Sequence, residues 1–245
     1  MQQRRPTMKQ SLLLLRLFDV PISAIVDIGV QTCTPPLMEI FPDKKHFLFE
    51  PIDSYLPQIL SNYQNFNIQL TQVALSDSDG QAWQVGRSAD GSGKVTHSYL
   101  SDHKINSVDD PTIIECTAVH KAKFDTICTT IDLPEDFLLK IDVDGIEIKI
   151  LNGATKSIQK ASVIIIEAPL TKLTERAQYV EQQGFKLFDM VDLSYYYGTL
   201  SQVDLILVRN DLVGKIADLN PWKTKKIHWD AWFQMDETYW QATNK

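Results

Sequence analysis

The sequence predicts an α/β protein, a doubly wound and mostly parallel sheet with an antiparallel last strand and an inserted β segment. Three observations carry that expectation. Short apolar runs such as Ala24-Ile25-Val26-Asp27-Ile28 and Val163-Ile164-Ile165-Ile166 alternate with segments bearing a helical apolar stripe, the rhythm of βα units. Those runs are apolar at nearly every residue, as in strands buried on both faces, and they give way to an acid or a glycine where the chain emerges. The last two runs lie too close in sequence for a parallel crossover of about a dozen residues, so they pair as a hairpin.

Taken in order, Ser11 to Phe18 is the leucine-rich centre of a first helix within residues 1–22. The basic Met1 to Arg5 before it gives the segment a superficial likeness to a signal peptide. Arg16 and Asp19 interrupt the apolar run, however, and Val20 to Ser23 lacks a small-residue cleavage pattern, so the helix is expected to pack on the sheet. Ala24 to Ile28 is the first strand and Gly29 to Cys33 a loop. A helix then opens with Thr34 as N-cap and Pro35 at its first position, with Leu37, Ile40 and Phe41 as its stripe. Phe47 to Phe49 is a strand ending in Glu50-Pro51, Asp53 to Tyr63 a helix, and Ile68 to Leu75 a third strand.

From Gln81 to Val119 the period changes to short alternating strands around a Gly-, Ser- and Asp-rich loop, an insertion at about 81–120. The βα rhythm resumes with Phe137 to Asp142, a helix from Ile146 to Gln159, the strand ending at Glu167, and a helix from Leu173 to Gln183 capped by Gly184. Strands Phe185 to Met190 and Val203 to Val208 flank a loop from Asp192 to Leu200. No repeat or low-complexity linker divides the chain, so residues 1–245 read as one domain: the first helix, a core over 24–210 and a tail over 211–245.

Composition narrows the function. A formal charge of −7 and a pI near 5.2 leave no basic face for a phosphate backbone, so nucleic acid is not an expected partner. No run is long enough for a membrane span. Cys33, Cys116 and Cys128 show no C-x-x-C spacing, which argues against a disulfide framework and a zinc site and makes the cytoplasm the expected compartment. The tail carries Trp222, Trp229, Trp232, Phe233, Tyr239 and Trp240 beside Lys223, Lys225 and Lys226. Such density suits packing across the sheet, a homodimer contact, or a platform on which sugar faces stack, with Tyr195-Tyr196-Tyr197 on the same wall.

The chemistry gathers at strand ends. Asp27 and Gly29 close the first strand and Glu50 closes the second about twenty residues on, the arrangement in which a loop meets a nucleotide and an acid accepts from ribose hydroxyls. A pyrophosphate needs G-x-G-x-x-G, and here only Gly29 is present, which disfavours a dinucleotide such as NAD. S-adenosylmethionine has no phosphates, and an acid such as Asp27 suits its ammonium. Asp142 ends a later strand and Glu167 another; both are acids of ordinary strand-end character as well as candidate functional groups.

The chain resembles the FkbM family of S-adenosylmethionine-dependent methyltransferases. The matching pieces are Val26-Asp27-Ile28-Gly29 before a helix closing in Phe41-Pro42, then Phe49-Glu50-Pro51, Val73-Ala74-Leu75-Ser76-Asp77 with Gly80, and Thr130-Ile131-Asp132. They continue with Leu139 to Glu147 (LKIDVDGIE) and Leu151-Asn152-Gly153-Ala154, the most specific stretch, then Ile165-Ile166-Glu167 and Gln202-Val203-Asp204. The resemblance implies a Rossmann-like class I methyltransferase fold and O-methylation of a hydroxyl on a sugar, glycan or small polar natural product. It implies that Asp27, Gly29, Val30, Gln31, Glu50 and Pro51 hold the cofactor, that Val73, Ala74 and Leu75 line its adenine, and that Asp142 sits by the methyl group or acceptor.

Two departures stand out: Val30, Gln31 and Cys33 replace the family's Ala-Asn and second glycine, and Asp144 replaces its Glu. A hydroxyl acceptor needs a base or a metal, and the candidates are Asp142, Glu147, Glu167 and His97. Asp142 with Glu167 has the oxygen ligands for a hard cation, although a divalent metal is not favoured. Lys140 is expected to pair with a neighbouring acid. The rival readings are N-methylation and a non-catalytic cofactor-binding protein with a degenerate first loop.

Overall fold

Ala24–Ile28 forms β1, buried at every residue, at the switch point of a seven-stranded sheet in a computed structural model that describes residues 5–88, 90–105 and 110–217. Before it comes α1 (Met8–Leu17), and after it α2 (Pro35–Ile40), β2 (Lys45–Phe49), α3 (Leu56–Asn62) and β3 (Ile68–Thr71). The insertion follows as β4 (Ala74–Leu75), β5 (Gly80–Arg87), β6 (His97–Ser101) and β7 (Ile113–Ala122), then α4 (Phe124–Ile127). The sheet resumes with β8 (Phe137–Ile141), α5 (Glu147–Asn152), β9 (Ala161–Pro169), α6 (Leu173–Gln182), β10 (Phe185–Tyr196) and β11 (Thr199–Arg209), and α7 (Val213–Ala217) closes the described chain.

The strands lie in the order β10-β11-β9-β8-β1-β2-β3. All run the same way except β11, which is antiparallel to β9 and β10. The order reverses between β1 and β8, and a crevice opens at the carboxyl ends of those two strands. The apolar runs bury both faces. Val26, Ile28, Leu139, Ile141, Ile164 and Ile166 pack with Ile150 and Leu151 of α5 and Val180 of α6. The alternate residues Ile25, Leu138, Val163 and Ile165 pack with Met8, Leu12 and Leu15 of α1 and Leu37 and Ile40 of α2. The insertion makes a second sheet, ordered β4-β7-β5-β6.

Several elements differ from expectation for local reasons. The run from Ile68 to Leu75 divides at Gln72-Val73: β3 stays in the main sheet, and β4 leaves it to pair with β7. The helix expected over 146–159 stops at Asn152, where Gly153 passes so close to the Ser76 carbonyl that a Cβ would lie 2.0 Å from its oxygen. Residues 192–200 are strand rather than loop. The hairpin closes in the two residues Tyr197 and Gly198, at φ 48° and 76°, the left-handed pair that a tight hairpin requires. Thr34 is the N-cap of α2, but its side chain makes no capping bond; Leu37 and Met38 donate to its backbone oxygen instead. The aromatic tail from Asn220 to Trp240 lies outside the described residues. No helix among the described residues is long and apolar enough to cross a membrane.

Gly153 fixes the second sheet against the first, because only a residue without a Cβ admits the Ser76 backbone there. Gly153→Ala is expected to cost about 3 kcal/mol through forced backbone movement. The check is urea unfolding of the two proteins, and equal midpoints would remove this contact from the fold.

Candidate functional site

A cavity of about 300 Å³ sits at the crevice, within the range of small-molecule sites. Its floor is set by Gly29, at φ +82°. A Cβ there would come within 2.0 Å of the Asp142 carbonyl oxygen, so the first loop crosses the end of β8 in contact with its backbone. Gly29 N–H donates to the Phe49 carbonyl and Asp142 N–H to that of Ile28, each at 3.1 Å, which ties the ends of β1, β2 and β8 together.

One end of the cavity is largely apolar. Phe49, Pro51, Ile52, Val73, Ala74 and Leu75 line it, and Glu50 supplies its carboxylate, with Gln31, Tyr55 and Gln84 as further polar groups of the lining. The Glu50 carboxylate accepts from Gln31 N–H at 2.9 Å and Ile52 N–H at 3.0 Å, Gln31 reaching it through a left-handed φ of 52°. Burial pushes its pKa up to about 7 against those two hydrogen bonds, which favour the charged form.

The other end is acidic. Asp142, Asp144, Glu167 and Gln202 line it, and β6 with the segment before it forms the roof through Val95, Thr96, His97, Ser98, Tyr99 and Leu100. Lys140, buried within β8, donates to Asp142 Oδ2 at 2.8 Å and lies 3.6 Å from Asp27 Oδ1. Burial opposes its charge, but Asp27 and Asp142 prevail and raise its pKa. This lysine pairs with acids, as expected from the sequence. Glu167 Oε1 accepts from Gln202 Nε2 at 2.7 Å. Burial, with the charges of Asp142 and Asp204 added, pushes Glu167 up to about 8, and burial with Asp142 pushes Asp204 to about 7. His97 is exposed at the roof, with Nδ1 3.0 Å from Thr96 Oγ1.

The cavity therefore gathers Gly29, Gln31, Glu50, Pro51, Val73, Ala74, Leu75, His97, Asp142 and Glu167 from the sequence expectation. It does not gather Asp27 or Val30. Asp27 alternates with Val26 and Ile28, so it shares the Lys140 face and is fully buried there; neither carboxylate oxygen accepts a hydrogen bond among the described residues. Val30 packs instead with Leu48, Ile59 and Tyr63. Glu147 is also withdrawn from the acid–base candidates, because it is fully buried in an ion pair with Arg176. Tyr195, Tyr196 and Tyr197 stand exposed at the hairpin tip, away from the cavity wall. Asp142 and Glu167 are both present, but no set of three or more His, Cys, Asp or Glu is arranged to hold a metal ion among the described residues.

One residue that shapes the site, Arg176, escaped the sequence reading, and another, Asp144, was singled out there as a departure from the family without its contact. Arg176 bridges Glu147 and the Glu167 carbonyl, and so positions the end of β9. Its signal was an arginine on the Leu173, Ala177 and Val180 stripe of α6. Asp144 accepts from Ser98 N–H at 2.7 Å and pins β6 over the cavity, a contact that no local pattern announces.

The model of the FkbM methyltransferase domain matches residues 27–189, and the chain belongs to that family. It is an S-adenosylmethionine-dependent methyltransferase. Solved structures similar to it include a precorrin-6y C5,15-methyltransferase from Geobacter metallireducens, at 15% identity and TM-score 0.42 over 85% of this chain and 93% of that one. An rRNA methylase from Streptococcus thermophilus is similar at 12% and 0.46 over 85% and 99%. TrmK of M. capricolum, solved with S-adenosylhomocysteine, is similar at 14% and 0.43 over 82% and 68%. No curated protein matches the chain in sequence. The cavity fits the cofactor: the Glu50 carboxylate faces it among apolar walls, and the buried carboxamide of Gln84 enters it with no hydrogen-bond partner among the described residues.

Two outcomes follow from this geometry. Arg176→Met leaves the Glu147 carboxylate buried and unpaired, with an expected cost of about 3–5 kcal/mol in urea unfolding. An unchanged midpoint would show the pair to be dispensable. Glu50, Glu167 and Asp204 each have a folded-state pKa above the unfolded value, so the folded chain keeps protons that the unfolded chain has lost. Their contribution to stability accordingly falls as pH rises from about 5 to about 8. Glu167→Gln, which cannot ionise, is expected to raise the melting temperature relative to wild type at pH 8 more than at pH 5. The same difference at both values would count against a buried, titrating Glu167.

Proposed function

We propose that the chain transfers a methyl group to a hydroxyl of a sugar, a glycan or another small polar natural product. The observation that carries this reading is the pair Asp142 and Glu167, carboxylates at the ends of adjacent strands β8 and β9, facing the cavity that Glu50 enters from β2. S-adenosylmethionine, when bound, supplies a methyl carbon already activated by its sulfonium. Glu50 accepts hydrogen bonds from the ribose hydroxyls, Gly29, Gln31 and Pro51 shape the loop around it, and Val73, Ala74 and Leu75 cover the adenine.

The protein's remaining task is to align the acceptor oxygen and take its proton. Glu167 is assigned the base, since its pKa near 8 makes it a better proton acceptor than an ordinary carboxylate. Asp142, with one oxygen held by Lys140, presents the other to the acceptor and orients it. His97 stands at the roof as a second polar contact for the acceptor. The three free, partly buried cysteines agree with a reducing cytoplasm as its compartment.

Calorimetry with S-adenosylhomocysteine comes first, with NAD as control and Glu50→Ala expected to abolish binding. An acceptor screen of sugars and polar alcohols then follows. For the acceptor found, Glu167→Gln is expected to lower turnover about a hundredfold with cofactor affinity within about tenfold. The wild-type rate is expected to rise with pH through about 8. Methylation confined to amines would replace this reading with N-methylation, and tight cofactor binding with no acceptor turned over would favour a binding protein.

A further inference from the structure

We infer that Gln84 reads the edge of the cofactor's adenine from the inserted sheet, an inference that rests on the S-adenosylmethionine reading of the cavity. Gln84 lies on β5 between Thr117 of β7 and Leu100 of β6 in register. Two residues before it, Ala82 belongs to an apolar cluster with Ala74, Val119 and Leu100, and Thr117, directly opposite Gln84 on the same face, is engaged with Glu115. The Gln84 carboxamide has no such partner. Gln84 is only 7% exposed, and its side chain makes no hydrogen bond with any described residue. Its donor and its acceptor are left open to the cavities it lines, where a ligand can pair with both.

Its position says which part of the ligand that is. Gln84 lines the main cavity and also a second one of about 240 Å³, and with Pro51 and Ile52 it forms the boundary between them. That boundary is on the β2 side, beyond Glu50 and opposite in the sheet order to Asp142 and Glu167. With the ribose on Glu50, the base extends toward Gln84. Neighbouring polar side chains are already engaged: Gln72 donates to Asp53, and Thr117 donates to Glu115. Adenine presents an amino donor at N6 beside a ring acceptor at N1, and a carboxamide offers the matching acceptor and donor in one plane. Gln84 is thus a cofactor-binding residue supplied by the insertion, and the second sheet takes part in cofactor selection.

The test is calorimetric titration of the full chain with S-adenosylhomocysteine and with its 6-desamino analogue, in which the purine lacks the N6 amino group. Wild type is expected to bind the adenine form about tenfold more tightly, the scale of a hydrogen bond to a buried partner. Gln84→Met, of similar length and apolar, is expected to lose about tenfold on S-adenosylhomocysteine and to bind the two ligands within about twofold of each other. Gln84→Asn, which withdraws the amide by one methylene, serves if the methionine variant does not fold and is expected to lose the same discrimination. Equal binding of both ligands by wild type, or a tenfold preference retained in the variants, would overturn the inference while leaving the cofactor reading intact. Failure of wild type to bind either ligand would overturn both.

Discussion

A single buried ammonium organises the acidic edge of this sheet. Lys140 sits within β8 between Asp27 on β1 and Asp142 beyond its own strand end, at 3.6 and 2.8 Å. Asp27 is fully buried and accepts no hydrogen bond among the described residues, and Lys140 is its ion-pair partner. Removing one partner from such a set leaves an uncompensated charge in the interior, the costliest kind of polar defect. The pairing also sets the geometry of the crevice, because Asp27 and Lys140 are directly opposed in the β1–β8 register. One residue further along β1, the Ile28 carbonyl holds the Asp142 backbone, and Gly29 follows in contact with it.

The acids around this centre are chemically distinct although they share one edge. Asp142 is paired with a cation and partly open to solvent. Glu167, one strand further out, has no cation on its carboxylate among the described residues; it accepts from the neutral amide of Gln202, and burial, with Asp142 and Asp204 nearby, keeps a proton on it to higher pH. Glu50 is held by two backbone N–H groups, an arrangement that fixes orientation and leaves its remaining lone pairs toward the cavity. Environment rather than residue type separates three carboxylates that share one sheet edge.

Much of this was legible in the chain itself, and the reason is that parallel strands buried on both faces leave an unmistakable run. Ala24 to Ile28 was readable to the residue, and the antiparallel sense of the last two strands was readable although their length was not. What was not legible depended on contacts distant in sequence. The end of α5 at Gly153 is dictated by Ser76, and the division at Gln72-Val73 by pairing with β7, more than forty residues on. In the site, acids at strand ends were found because a strand end predicts where a side chain emerges. Asp27 and Val30 were placed at the cavity because they flank Gly29 in sequence. Side-chain alternation along β1 sends Asp27 to the Lys140 face instead, and the turn at Gln31 leaves Val30 packed against Tyr63.

Asp144 shows how a small change in one side chain is absorbed by the fold. Asp144 reaches one methylene less far than the Glu the family usually has there, and its carboxylate ends at the Ser98 backbone N–H, 2.7 Å away. A charge-assisted bond to a strand N–H is strong, and it is made between the β8–α5 loop and the edge strand of the inserted sheet, β6, which otherwise pairs with β5 alone in that sheet. The acid edge and the roof are thereby one connected unit. The strand that covers Asp142 and Glu167 is held in position by the residue two places after Asp142. The insertion, which carries no conspicuous motif in sequence, thus takes its functional position from the most recognisable motif in the chain.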